Sequence, residues 1–395
     1  MTPAARVQTS IELLDTVIAA ALAKGPPADR VLADWFKANR FAGSKDRRAI
    51  RDLVYRAIRV CGPVPDTGRA AMLALAETDP SIATLFDGSR YGPPPIGADE
   101  RPATRGIAPA WLVERLTASG LDAEAQASLL ERAPLDIRVN SLKVRRDGLV
   151  LPVEAEPTAA PAGLRLPTGT AVEQWDAYRD GLIEVQDTGS QLACQAVAAR
   201  FDETVLDLCA GAGGKTLALA AAMGGPSSTR GRLIASDTDR GRLSRLPPRA
   251  ERAGARIESR LLDPGREAAA FDDLAGALDA VLIDAPCSGS GTWRRNPESR
   301  WRLDGRELAR LTDLQARLID LAVPLLKPGG RLVYVTCSLL DEEGADGWQA
   351  ALDRHPALEP RVTDLALGHA RGKGIRLEPH RDGTDGFFIA HAVRL

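Results

Sequence analysis

At 395 residues the chain is too long for one average domain, so two or three are expected, and 44% hydrophobic with 26% charged residues is the composition of an ordinary globular protein. No apolar stretch approaches the roughly 18 residues of a membrane span, and Glu12 and Asp15 inside the first apolar pattern argue against a signal peptide. Five cysteines, an odd number without CxxC spacing, exclude a disulfide framework and imply a reducing, cytoplasmic setting, while four scattered histidines predict no metal.

The first helical segment is SIELLDTVIAAALAKG, whose apolar residues recur near every 3.6 positions until Gly25 and Pro26-Pro27 stop it. SKDRRAIRDLVYRAIRVCG is a second amphipathic helix, with Ile50, Leu53, Val54, Ile58 and Cys61 on one side, which places Cys61 in a core. The net charge of −2 hides clusters: Phe36 to Arg59 carries eight Lys or Arg against two Asp. Seven Arg lie between Arg240 and Arg260, and Arg294, Arg295, Arg300 and Arg302 form a third group. One charge run is commonly a solvated face. Three in a chain of balanced charge point to an anionic polymer partner.

DGSRYGPPPIGADERP, rich in Gly and Pro, marks a boundary near residue 95. A helix around PAWLVERL, the strand DIRVNSL and turn-rich sequence follow. Beyond them TVLDLCA, RLIASD, RIESRLLD, DAVLIDAP and GGRLVYVTCS read as buried strands, separated by helices such as KTLALAAAM and LTDLQARLIDLAVPLL. The alternation predicts an α/β fold with a parallel, doubly wound sheet, which binds ligands beyond the carboxyl ends of its strands. Three domains are expected: a helical one over 1–95, a small α/β subdomain over 96–185 and a catalytic one over 186–395.

The first of those strands runs into a glycine-rich turn. Gly211, Gly213 and Gly214 let the backbone approach a ligand closely, and Lys215 opens a helix. Gly214-Lys215-Thr216 is also the tail of a phosphate-binding GxxxxGK[ST] loop, with VLIDAP as a possible partner strand, so an NTPase is a rival reading. Cys209, however, stands where that loop needs its leading glycine. Asp237, Asp263 and Asp284 end the second, third and fourth strands. Each alone suits a cap or a turn; together they would repel a triphosphate and suit an adenosine carrying a sulfonium, with Asp237 at the ribose diol. The cofactor is therefore expected to be S-adenosylmethionine, held by Cys209, Ala210, Gly211, Ala212, Gly213, Gly214, Lys215, Asp237, Asp263 and Asp284. Asp207 and the Cys209 side chain shape the turn.

PLDIRVNSLK, EVQDTGSQL, VLDLCAGAGGKT, VLIDAPCSGSGT, YVTCS and DGTDGFFIAHAVRL occur in this order. From about residue 101 to its end the chain resembles the RsmB/Sun family of RNA cytosine-5 methyltransferases, close to the bacterial ribosomal-RNA enzymes. Ala212 stands where that family usually has Pro. The basic helical N-terminus is similar to the NusB-like domain of the ribosomal-RNA member. The resemblance implies a Rossmann-like class I methyltransferase domain preceded by a small α/β RNA-binding subdomain and an all-helical NusB-like domain. It favours small-subunit ribosomal RNA as substrate, with transfer RNA as the alternative; a monomer is the default expectation.

Carbon 5 of cytosine is a poor nucleophile until a thiolate adds to carbon 6, and that thiolate must later be eliminated. Asp284 can hydrogen-bond the N3/N4 edge of the base, and Lys215 can orient or polarise it. Chemistry alone does not say whether Cys287 or Cys337 attacks, and DNA enzymes use a Pro-Cys placed like Cys287. The resemblance implies that Cys337, of TCS, is the nucleophile and that Cys287, of PCS, assists release. Cys194 is expected in a helix core. The base must leave its stack, so a flexible RNA segment is expected, with Arg138, Asn140, the Arg240–Arg260 cluster, Arg294 and Arg295 as candidate contacts. A DNA methyltransferase, which would not need the second cysteine, and a catalytically silent RNA-binding assembly factor are the other readings.

Overall fold

The computed structural model describes residues 1–224 and 231–395, and the chain divides into two compact units. Met1–Arg132 and Thr292–Gly305 form the first, Ala133–Gly291 and Arg306–Leu395 the second. The Gly/Pro-rich stretch near residue 95 lies within the first of these units. The chain after it pairs back into the first unit: Gly62 N–H donates to Thr104 (3.0 Å), Ala103 N–H to Ala70 (2.9 Å), and Arg69 is paired with Glu100 (2.6 Å).

The first unit is helical, with α1 (Pro3–Leu22), α2 (Ala28–Ala38), α3 (Ser44–Val60) and α4 (Gly68–Thr78) followed by the shorter α5 (Pro80–Ala83), α6 (Ala110–Ala118) and α7 (Ala123–Ser128). It fits a NusB-like domain. The Thr2 hydroxyl caps α1 by accepting the Ala5 N–H (3.2 Å), and Pro3 supplies a preset first turn. Ile50, Val54 and Ile58 form the fully buried stripe of α3, Cys61 joins the same core, and Leu53 lies at its edge. Where α4 begins against α1, a Cβ on Gly68 would sit 2.2 Å from the Ile11 carbonyl oxygen, so only glycine fits.

Thr292–Gly305 is an excursion that completes this helical core. Trp301 packs into it and donates its indole N–H to the Gly62 carbonyl (3.2 Å). Fully buried Arg300 donates to the carbonyls of Ile58 and Cys61 (2.6 Å each) at the end of α3, where the helix dipole favours a cation. Glu298 accepts the Ala28 N–H (2.9 Å) at the opposite, N-terminal pole of α2. Arg302 donates to Gly25 and Pro26 (2.8 Å each), and Arg294 is buried. Of this charge cluster Arg294 was expected to contact RNA; instead Arg294, Arg300 and Arg302 fasten chain carbonyls inside the unit.

The second unit opens with a four-stranded antiparallel sheet in the order β2-β3-β1-β4, from β1 (Leu135–Val139), β2 (Glu156–Pro157), β3 (Gly163–Leu166) and β4 (Ile183–Val185), with α8 (Asp176–Arg179) before β4. Arg138 and Asn140 are internal here, against the expectation of RNA contacts. Asn140 donates to the carbonyls of Gly181 and Ala253 (2.8 Å each), and Arg138 is 4% exposed with its Nε on Gln186 (2.7 Å).

The main sheet, among the described residues, runs β11-β12-β13-β9-β8-β5-β6-β7, with β10 on β13. Its strands are β5 (Thr204–Asp207), β6 (Arg232–Asp237), β7 (Glu258–Leu261), β8 (Leu278–Asp284), β9 (Leu326–Thr336), β10 (Leu358–Arg361), β11 (His369–Arg371), β12 (Gly374–Leu377) and β13 (Phe387–Arg394). The five strands expected from sequence are mutually parallel, and β10 to β13 add an antiparallel flank. Successive residues feed opposite faces. Leu206, Val281, Ile283, Leu332 and Tyr334 pack with α11 (Gly305–Ala322) and α12 (Ala345–Arg354), whereas Val205, Ala280, Leu282, Val333 and Val335 pack with α9 (Thr188–Gln195) and α10 (Gly214–Ala222). From β5 the chain steps outward to β6 and β7, then returns to the other side through β8 and β9. The order reverses between β5 and β8, and in such sheets ligands bind beyond the strands' carboxyl ends at that reversal.

Candidate active site

The turn after β5 is held from both neighbouring strands: Leu208 N–H donates to Leu282 (2.9 Å) and Ala210 N–H to Ser236 (2.9 Å). Gly213 has φ +84°, and a Cβ there would stand 2.1 Å from Leu246. Gly214 differs, because nothing lies within 4 Å of where its Cβ would be; the turn is open on that side. Ala212 lacks the φ restraint of the proline usual in the family it resembles. Arg249, itself paired with Glu184 (2.7 Å), donates to the Ala212 carbonyl (2.6 Å) and braces the turn.

Asp237 ends β6 and is buried; its two oxygens accept the N–H groups of Gly211 and Asp239 (2.7 Å each). Each oxygen keeps lone-pair capacity for a further donor such as a ribose hydroxyl. Asp263, two residues past β7, is exposed, and Asp284 ends β8. An open glycine turn with Asp237 bonded to it and Asp284 paired to the lysine that follows it fits a cationic, diol-bearing cofactor and is a poor cradle for a triphosphate. Asp207 lies beneath it, fully buried, accepting the Thr216 hydroxyl (2.6 Å); burial pushes its pKa up to about 7, with the Asp284 charge contributing. The Cys209 thiol is likewise pushed well up, by burial and then by Asp207, Asp237 and Asp284, so it is an inert part of the turn.

Lys215, in the first turn of α10, is ion-paired with Asp284 at 2.7 Å, and its ammonium lies 5.4 Å from the centre of the Phe387 ring. Burial is the largest influence and opposes its charge, but the Asp284 carboxylate together with the Cys194 and Cys337 sulfurs outweighs it and holds the pKa above the ordinary lysine value. It is a fixed cation.

Cys287 and Cys337 leave the ends of β8 and β9, which pair directly, with Asp284 opposite Val335. Their sulfurs are 3.4 Å apart and both residues are half-buried. That is a thiol contact, far longer than the roughly 2.05 Å of a disulfide. The hydrogen bond to Cys337, then burial, then the charges of Cys337 and Glu343 push the Cys287 thiol well above its ordinary pKa. Cys194 is buried in the α9 core, its thiol donating to the Ser190 carbonyl (3.2 Å).

Of the Arg240–Arg260 cluster, Arg249, Arg252 and Arg260 are spent on Glu184, Glu258 and Asp273, leaving Arg240, Arg242, Arg245 and Arg256 exposed. Sequence reasoning missed Phe387 and a polar group of Ser288, Ser290, Gln315, Ser338 and Glu343 behind the cysteines. The serines could have been noticed as polar residues inside apolar motifs; Glu343, in an acidic run, carried no signal. Among the described residues no helix is long and apolar enough to cross a membrane, and no group of acids, His and Cys could hold a metal.

Residues 194–393 match the family described as 16S rRNA methyltransferase RsmB/F. The ribosomal RNA small subunit methyltransferase B of Erwinia tasmaniensis is 34% identical over 299 residues, which is 72% of this chain and 66%, just under two thirds, of that relative. Among solved structures, PH0851 shares the fold over 99% of both chains at 23% identity, with a TM-score of 0.76. A methyltransferase homologue from Pyrococcus horikoshii is 26% identical, covers 72% of this chain and 99% of its own, and has a TM-score of 0.58. The matched region holds the glycine turn, the three acids and both cysteines, and on it the chain belongs to the RsmB/F family of 16S rRNA methyltransferases.

Proposed function

We propose that the chain methylates carbon 5 of a cytosine in small-subunit ribosomal RNA, using S-adenosylmethionine, as a cytoplasmic monomer. The observation that carries this reading is the 3.4 Å thiol pair beside the Lys215–Asp284 ion pair, next to the acid-rimmed glycine turn. S-adenosylmethionine supplies an electrophilic methyl group when bound. Asp237, Asp263 and the turn hold it, while Asp284 and Lys215 hold the polar edge of the flipped base.

The Cys337 thiolate forms a bond to carbon 6, and the π pair of the carbon 5–carbon 6 bond moves toward carbon 5. Carbon 5 takes the methyl group, leaving the carbon–sulfur pair on the departing thioether. The carbon 5 proton is then lost to water, its bonding pair restores the double bond, and the sulfur pair returns to Cys337. Cys287 donates its S–H to that sulfur and stabilises it as it leaves. The first unit docks the RNA, through the exposed Lys37, Arg40, Lys45, Arg48 and Arg51.

The test is transfer of labelled methyl to small-subunit ribosomal RNA, followed by digestion to nucleosides. Label in 5-methylcytidine supports the reading, as does binding of S-adenosylhomocysteine but not ATP. Label in any other nucleoside, or none with well-folded protein, refutes it. Bisulfite sequencing of RNA from a deletion strain then locates the cytosine.

A further inference from the structure

Glu343 sits in the turn Asp341–Glu343 after the TCS loop and is fully buried, yet the reaction above gives it no task. Its Oε1 accepts the Ser288 N–H (2.8 Å) and the Gln315 side-chain amide (3.0 Å), and its Oε2 is bonded to the Ser288 hydroxyl. Its own carbonyl accepts the hydroxyls of Tyr334 (2.9 Å) and Thr336 (3.3 Å) from β9. Ser288 and Ser338, the residues directly after the two cysteines, touch through their hydroxyls at 3.1 Å; Ser338 meets Ser290 at 3.0 Å, and Ser290 accepts the Leu339 N–H at 2.8 Å. Gln315 also donates to the Pro286 carbonyl (2.9 Å), just before Cys287. Both cysteine loops are thus tied into one set of bonds that meets at Glu343.

We propose that Glu343 is a positioning residue that clamps the two cysteine loops together and keeps Cys287 in its thiol form beside the attacking Cys337. The proposal rests on the assignment of Cys337 as nucleophile. Its electrostatics follow from which charges face which sulfur. Cys287 faces Cys337, Glu343 and Tyr334; the cation Lys215 acts on Cys337 from α10, with Asp284 beside it. The side-chain partners of Glu343 are neutral amides and hydroxyls, so its charge is not cancelled and disfavours a second anion on the nearer sulfur. A cation beside one thiol and an anion beside the other polarise the pair, and attack at carbon 6 needs the polarised form.

The test is alkylation by iodoacetamide of the full chain without RNA or cofactor, each cysteine followed by mass spectrometry across pH, with the buried Cys61 and Cys194 as internal standards. In the wild type, Cys337 is alkylated at least about tenfold faster than Cys287, because the Glu343 charge disfavours the Cys287 thiolate. Glu343→Gln keeps the shape and removes the charge. It should raise Cys287 alkylation roughly tenfold and move its pH profile down, with S-adenosylhomocysteine affinity and melting temperature unchanged. Glu343→Ala should also loosen the loops and lower kcat for methylation while KM for RNA stays constant. An unchanged Cys287-to-Cys337 ratio in Glu343→Gln overturns the proposal, even if Glu343→Ala fails to fold. Because the alkylation needs no RNA, a collapsed ratio upholds the polarised pair even if the cytosine reading fails. Faster labelling of Cys287 than Cys337 in the wild type overturns both.

Discussion

The Cys287 sulfur lies 3.4 Å from that of Cys337, although 50 residues separate them in the chain. The parallel pairing of β8 and β9 brings this about, since Asp284 and Val335 are register partners and each cysteine follows within three residues. Two thiols in one crevice can divide a covalent reaction between attack and release. Cys337→Ala is expected to abolish methylation and form no adduct. Cys287→Ala is expected to methylate once and stall, leaving protein joined to RNA. A denaturing gel with labelled RNA and S-adenosylmethionine reads this directly, and a shifted band from Cys337→Ala would exchange the two roles.

Asp237 and Asp263 should separate in their effects. If both hold the cofactor as proposed, removing either carboxylate should cost a charge-assisted hydrogen bond, about 1.5–3 kcal/mol of S-adenosylhomocysteine affinity by calorimetry. Asp237 also secures the Gly211 and Asp239 N–H groups, whereas Asp263 is exposed. Asp237→Ala should therefore lower the melting temperature as well, and Asp263→Ala should not. Equal melting temperatures would show that the turn does not depend on Asp237.

Asp207 makes stability depend on pH. Burial raises its pKa to about 7, so the folded state binds the proton more tightly than the unfolded chain does. Stability from this group is full below the ordinary aspartate pKa and is lost as pH rises toward 7, by at most about 1.4 kcal/mol per pH unit. Asp207→Asn keeps an acceptor for Thr216 and cannot ionise. Denaturant titrations at pH 5 and pH 7.5 should show a smaller loss in the variant; an equal loss would remove Asp207 from the account.

Arg300 ties the excursion to α3, and Arg300→Met would leave the Ile58 and Cys61 carbonyls without their charged donor, a cost of roughly 3 kcal/mol or more. The melting temperature should fall while S-adenosylhomocysteine affinity persists. Deleting residues 1–95 should prove worse, because it strips Trp301 of the core it packs in. A soluble, monodisperse deletion protein would contradict this.

Docking of RNA on the helical unit predicts a salt signature. Arg40 and Arg48 are exposed, whereas Arg56 is paired with Asp79 at 2.6 Å. Replacing Arg40 and Arg48 by Ala should flatten the slope of log affinity against log salt by between about one and two, and Arg56→Ala should leave it unaltered. Equal slopes in all three proteins would make the cluster a solvated face.

Strand positions, the glycine turn, the three acids and both cysteines were legible in the sequence, because each depends on local rules. Apolar runs mark buried strands, glycine marks tight turns, and in a doubly wound sheet polar residues at strand ends face one crevice. What the arginines do was not legible, since charge looks the same whether it meets water, a phosphate or a buried carbonyl. Only the fold shows that Thr292–Gly305 enters the helical unit, so Arg300 caps α3, and that Asn140 holds the Gly181 and Ala253 carbonyls instead of facing RNA. The same holds for the thiol pair and for Glu343. Their distances depend on the register of β8 against β9 and on a turn that brings one acid of an acidic run inside, and both are settled by packing between segments far apart in the chain.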